Sequence, residues 1–124
     1  MKSYELYQQL SPGISRAIFM MFLISEIHPF LDGNGRIARI LMNAELDVAH
    51  QSRIIIPTVF REDYLLSLRK LSRTLDPAPY VRMLSRAQQF TASITYDEYH
   101  QTLTQFQACN AFLEPNEGQL IIPL

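Results

Sequence analysis

Between Ser11 and Ile27 the chain carries a helix whose middle is apolar almost all round, and Pro29 stops it by about Ile27. Ile14, Ala17, Ile18, Met21, Ile24 and Ile27 recur at helical spacing, while Phe19, Met20, Phe22 and Leu23 fill the remaining faces. A helix of this kind is the buried centre of a small domain. Ser11 and Pro12 are expected to open it as N-cap and first helical residue. Pro29 disfavours the α region for the residue before it, so His28 is expected to be extended. Pro29 to Gly35 then reads as a loop whose glycines permit tight backbone.

A second helix is expected from Asn34–Arg36 to about Ala49, with Ile37, Ile40, Leu41, Ala44 and Val48 as its apolar stripe. Arg36, Arg39, Asn43, Asp47 and His50 form a polar stripe beside it. Arg53 to Pro57 is mainly apolar but too short to assign as a strand. Thr58 is placed to cap a third helix, to about Thr74, with Leu65, Leu68 and Leu71 inward. Asp76 and Pro77 open a fourth, to about Ala92, and Asp97 a fifth, to about Asn110, carrying Tyr99, Leu103 and Phe106. The pattern predicts an all-α fold: one helical domain over 1–110, then a tail over 111–124. That tail holds turn residues (Glu114 to Gly118) before a mostly apolar end that can pack back or form a short strand.

Charge narrows the function. Eleven basic residues against twelve acidic ones leave a net charge of −1, which removes the bulk electrostatic case for nucleic-acid or anionic-membrane partners. Cys109 is the sole cysteine, so no internal disulfide is expected; it reads as a small buried hydrophobe in a reducing compartment. The longest apolar run, Ala17 to Ile24, is eight residues, against the ~20 that a membrane span needs. With no apolar signal core in Met1–Leu10, a cytoplasmic location is expected, export as an effector by an uncleaved route being the other possibility.

Any anion must therefore be held locally, and one segment is built for that. Gly33-Asn34-Gly35 stands where a loop enters a helix, so backbone N–H groups can turn inward around an anion beside the positive helix end. Arg36 and Arg39 follow in the first turns, where a cation is unfavourable by about 0.3–1 kcal/mol. Three apart, they project from one face and repel each other. A bound di- or triphosphate relieves both costs, because guanidinium forks match phosphate oxygens. Asp32 would repel phosphate unless Mg²⁺ joins the two, and Mg²⁺ commonly uses one or two carboxylates plus substrate phosphates. Histidine can take a proton at neutral pH, which suits His28 to activate an attacking hydroxyl for in-line displacement at phosphorus.

The twelve residues His28 to Arg39 (HPFLDGNGRIAR) resemble the Fic family motif H-x-F-x-(D/E)-G-N-G-R-x-x-R, with all eight specified positions filled. The resemblance implies an all-α fold with the motif loop between two central helices. It also implies AMP transfer from Mg-ATP to a Ser, Thr or Tyr hydroxyl of a target protein. His28 would be the catalytic base, Asp32 the metal ligand, and Gly33, Asn34 and Gly35 the phosphate cradle. Arg36 and Arg39 would hold the outer phosphates. Gly35 followed by Arg36 resembles the AMP-transferring members; the kinase-like Doc branch has lysine in place of that glycine.

Two departures shape the remaining expectations. Only 27 residues precede His28, so the β-hairpin flap by which family members align a target is expected to be missing, as in a shortened form or a fragment. A nucleotide- or partner-binding module without turnover is therefore the alternative to an enzyme. The self-inhibitory pattern (S/T)-x-x-x-E-(G/N) is not satisfied, since Asp63 follows the Thr58–Glu62 pair. A separate regulatory or inhibitory protein then joins the target protein as an expected kind of partner. Phe30 is expected to anchor the loop in the core. Arg53, Arg61, Arg69, Lys70, Arg73, Arg82 and Arg86 are spread over several elements and read as solvated helix faces, and His50, His100 and Cys109 lack zinc-ligand spacing.

Overall fold

The computed structural model describes residues 2–123 and contains six α-helices and no strand among them. They are α1 (Ser3–Gln9), α2 (Ile14–Ile27), α3 (Asn34–Val48), α4 (Arg61–Thr74), α5 (Ala78–Ser93) and α6 (Tyr99–Ala108). The all-α expectation holds. The chain divides into two compact units, Met1–Arg53 and Ile54–Leu124.

In the first unit α2 and α3 pack against each other. The fully buried residues there are Ala17, Met21, Ala38, Met42 and Leu46. Ile40 and Val48, placed inward by hydropathy, are 65% and 77% exposed. The buried face of α3 is thus turned by about one residue, ~100° of helix, from the expected stripe. Close helix packing favours small and adaptable side chains, and alanine and methionine supply them better than branched isoleucine.

The ends of α2 also correct the expectation. Gly13, not Ser11, is the N-cap, with φ 102° and ψ −133°, and its carbonyl accepts the Ala17 N–H at 2.9 Å. The Gln51 side chain fills the space beside it, 2.6 Å from where a Cβ would stand. Gly13→Ala is therefore expected to cost about 1–3 kcal/mol, read as a lower midpoint in urea. At the other end His28 is left-handed (φ 50°, ψ 60°), not extended, and its N–H returns to the Ile24 carbonyl at 3.1 Å. Both conformations avoid the right-handed α region that Pro29 disfavours, and a left-handed residue is a common way to end a helix.

Helix α1 went unread in the sequence because polar contacts hold it. The Tyr7 hydroxyl donates to Glu45 Oε1 at 2.6 Å, and the Arg16 guanidinium stacks 4.5 Å from the Tyr7 ring centroid. The bond to Glu45, with burial, raises the Tyr7 phenol above its usual range.

In the second unit α5 is the spine: Tyr80, Met83, Leu84, Ala87, Phe90 and Thr91 are all buried. Thr58 opens a short 3₁₀ turn, Thr58–Phe60, without a side-chain cap bond, and α4 follows. Leu65 is 48% exposed, and Leu68 and Leu71 are half-buried. Proline 77 precedes α5 as its N-cap residue, while the Asp76 carboxylate accepts the Ala78 N–H. Glu98, not Asp97, caps α6 by accepting from His100 and Gln101. Phe106 packs against Phe90 and Phe112, whereas Tyr99 is exposed. The tail forms no strand among the described residues. It folds back, with the Ile121 N–H on the Cys109 carbonyl and the Asn110 amide on the Gln119 carbonyl. Cys109 is buried, which pushes its thiol up.

The buried Tyr80 hydroxyl finds no hydrogen-bond partner among the described residues, and its burial raises it far above the phenol range. An unsatisfied buried hydroxyl costs about 1–3 kcal/mol. Tyr80→Phe removes it at nearly constant volume, so the variant is expected to melt no lower than the parent, and up to a few degrees higher, in a calorimetric scan. A clear loss of stability would show that the hydroxyl is satisfied.

Candidate nucleotide site

The loop between α2 and α3 is shaped by its own polar groups. Asn34, first residue of α3, is 7% exposed. Its Oδ1 accepts the Phe30 N–H at 3.1 Å and its Nδ2 donates to the Phe30 carbonyl at 2.8 Å. This clamp is what anchors the loop. The Phe30 ring, expected in the core, is 51% exposed; the residue is held through its main chain instead.

Gly33 caps α3 in the left-handed region (φ 77°, ψ 12°), and its carbonyl accepts the Ile37 N–H at 3.0 Å. The N–H groups of Asn34, Gly35 and Arg36 follow in the first turn, where no intrahelical acceptor exists. Both guanidinium groups lie over this turn. A Cβ on Gly33 would stand 3.1 Å from Arg36 Nη2, and one on Gly35 would stand 3.4 Å from Arg39 Nη1. The glycines thus make a hollow of bare backbone into which two cations fold.

Asp32 lies at the edge of that hollow. Its Oδ1 accepts the Gly33 N–H at 2.8 Å and its Oδ2 is 3.6 Å from Arg36 Nη2. The two side chains of this pair are 94% and 72% exposed, so the attraction is weak. Arg39 has no carboxylate within ion-pair distance among the described residues. His28 is exposed at the end of α2, its Nδ1 3.5 Å from Asn34 Nδ2. One stretch of chain therefore brings a histidine, a single exposed carboxylate, the first-turn N–H groups of a helix and two guanidinium groups together. That donor set fits an anion with a hard cation: one exposed carboxylate with open coordination positions, beside groups that bind phosphate oxygens.

The structure adds residues that the sequence did not join to the motif. Arg36, Arg39, Ile40, Asn43, Ala44, Asp47 and Arg53 line an open hollow of about 580 Å³ along α3. At its far end Arg53 grips Asp47 with two 2.9 Å bonds, which hold the Asp47 carboxyl below the usual carboxylate range. The polar stripe on α3 signalled Asp47; Arg53 lies beyond the helix, and no spacing rule ties it there.

Comparison with known proteins bears on the same segment. The Fic/DOC family model matches residues 1–46. Proteins named "Protein adenylyltransferase Fic" from Drosophila persimilis and Drosophila grimshawi are each 39% identical over 72 residues, 58% of this chain. The Drosophila willistoni protein of that name is 38% identical over 81 residues, 65% of this chain. The chain spans only 14%, 15% and 16% of the length of these three relatives. No solved structure was found to match. Among the described residues no helix is long and apolar enough to cross a membrane. Over residues 1–46, the helices and loop that build this site, the chain is similar to the Fic/DOC family, and the match is partial.

Proposed function

We infer that the protein is an adenylyltransferase that moves AMP from Mg-ATP onto a Ser, Thr or Tyr hydroxyl of a target protein. The observation that carries this reading is the folding of Arg36 and Arg39 over the bare backbone of Gly33 and Gly35 at the start of α3. Two cations crowd a positive helix end there, and an anion is what relieves them. The name of the adenylyltransferase relatives supports AMP as the group transferred.

Each residue has a distinct task. The N–H groups of the α3 first turn, over Gly33, Asn34 and Gly35, cradle phosphate oxygens. Arg36 and Arg39 hold the outer phosphates and spread their charge. Asp32 would hold Mg²⁺, which when bound neutralises charge between phosphate oxygens. His28 takes the proton from the target hydroxyl as that oxygen bonds to the α-phosphorus of ATP, and the bond from that phosphorus to the bridging oxygen breaks to release pyrophosphate. Most of the rate then comes from positioning and electrostatics, as is general in phosphoryl chemistry.

The test is to incubate the purified chain with Mg-ATP, alone and with cell extract, and to look by intact mass for an AMP adduct. An adduct that disappears in the His28→Ala variant supports transfer. Thermal stabilisation by ATP without any adduct would assign the chain to the binding module instead. Neither label nor stabilisation would end the nucleotide reading.

A further inference from the structure

The backbone at Asn34 belongs to the phosphate cradle, but its side chain points elsewhere. It is buried and makes three contacts within the loop. Two of them fix its orientation. A main-chain N–H can only donate, so the amide atom facing the Phe30 N–H is oxygen; a carbonyl can only accept, so the atom facing the Phe30 C=O is nitrogen. The usual ambiguity of amide flips is removed.

An amide nitrogen carries two hydrogens and accepts nothing. One hydrogen goes to the Phe30 carbonyl at 2.8 Å. The acceptor near the nitrogen for the other is His28 Nδ1, at 3.5 Å. That distance is at the outer limit of bonding, so the contact biases the ring without locking it. The bias has a definite sense: Nδ1 must offer its lone pair, which leaves the proton of the neutral ring on Nε2.

We propose that Asn34 is a positioning residue that sets the tautomer of His28, holding the resting imidazole in its Nε2–H form. The catalytic meaning of this rests on His28 being the base. A ring protonated on Nε2 has no lone pair there for an incoming hydroxyl proton. His28 becomes a base at Nε2 only when the ring proton moves to Nδ1 and the Asn34 contact is given up. The amide that clamps Phe30 to α3 thus restrains the base while the loop is at rest.

The experiment is long-range ¹H–¹⁵N correlation NMR on uniformly ¹⁵N-labelled full chain, without nucleotide, at a pH above the imidazole range, about 8.5. His28 is assigned by its loss in His28→Gln, and exposed His50 and His100 serve as internal references. The expected result is a larger Nε2–H share at His28 than at either reference. Asn34→Asp places a carboxylate opposite Nδ1 and should convert His28 to the Nδ1–H form. A wild-type His28 with no more Nε2–H than the references overturns the proposal. So does a folded Asn34→Asp protein whose tautomer is unchanged. Should that variant fail to fold, the wild-type spectrum decides alone. The measurement needs no turnover, so a chain that transfers no AMP but shows this tautomer loses the functional reading and keeps this one.

Discussion

His28→Ala should lower AMP transfer by about 10²–10⁴-fold, the range a single positioned base contributes, while Mg-ATP affinity stays within a factor of about two of the parent. The separation is expected because the imidazole and the phosphate groups sit on different elements. His28 ends α2 and approaches Asn34 at 3.5 Å. The cradle and both arginines belong to the start of α3. Removing the ring leaves untouched the Gly33 cap and the two bonds between Asn34 and the Phe30 main chain. It also leaves the His28 N–H on the Ile24 carbonyl, which is what closes α2. Alanine is less at ease than histidine at φ 50°, which is expected to cost about 1 kcal/mol of stability. Single-turnover labelling by intact mass, beside calorimetric titration of Mg-ATP, measures both quantities. A variant that transfers AMP at the parent rate would remove His28 from the chemistry.

Local chemistry made the site legible. Every group proposed to touch nucleotide or metal lies between His28 and Arg39, and the glycine and helix-start rules place their backbone without knowledge of the rest of the chain. The structure starts the helix where those rules do: Gly33 is left-handed and α3 begins at Asn34. Legibility stopped where a choice depends on packing. Hydropathy could not separate Ile40 from Ala38, since both fit a helical stripe, and the close approach of α2 and α3 decided for the alanine. Phe30 looked like a core residue for the same reason, yet the two-point bond from Asn34 does the anchoring. The grip of Arg53 on Asp47 spans six residues across a helix end. It depends on how the chain turns through His50, which is left-handed at φ 58°, and periodicity does not describe such a turn.

The conflict between Arg36, Arg39 and the start of α3 supplies the second large effect, and here binding and stability are expected to move in opposite directions. Replacing both arginines with alanine should weaken Mg-ATP binding by about 10²–10⁴-fold, since each charge-assisted contact to phosphate is worth about 1.5–3 kcal/mol. Stability should hold or rise. The first turn of α3 carries no acidic residue to offset Arg36, and a cation there is unfavourable by about 0.3–1 kcal/mol. What Arg36 gains in return is the exposed pair with Asp32 at 3.6 Å, an interaction of a kind that contributes little. Arg39 has no carboxylate partner among the described residues to lose. Alanine is also the better helix former at both positions. Calorimetric titration with Mg-ATP and a thermal melt of the free protein read the two sides of this exchange. Lost affinity with an equal or higher melting temperature means that the arginines are kept for the ligand at the expense of the helix. If the doubly substituted protein melts several degrees lower and still binds nucleotide, the arginines are structural and the anion site is misplaced.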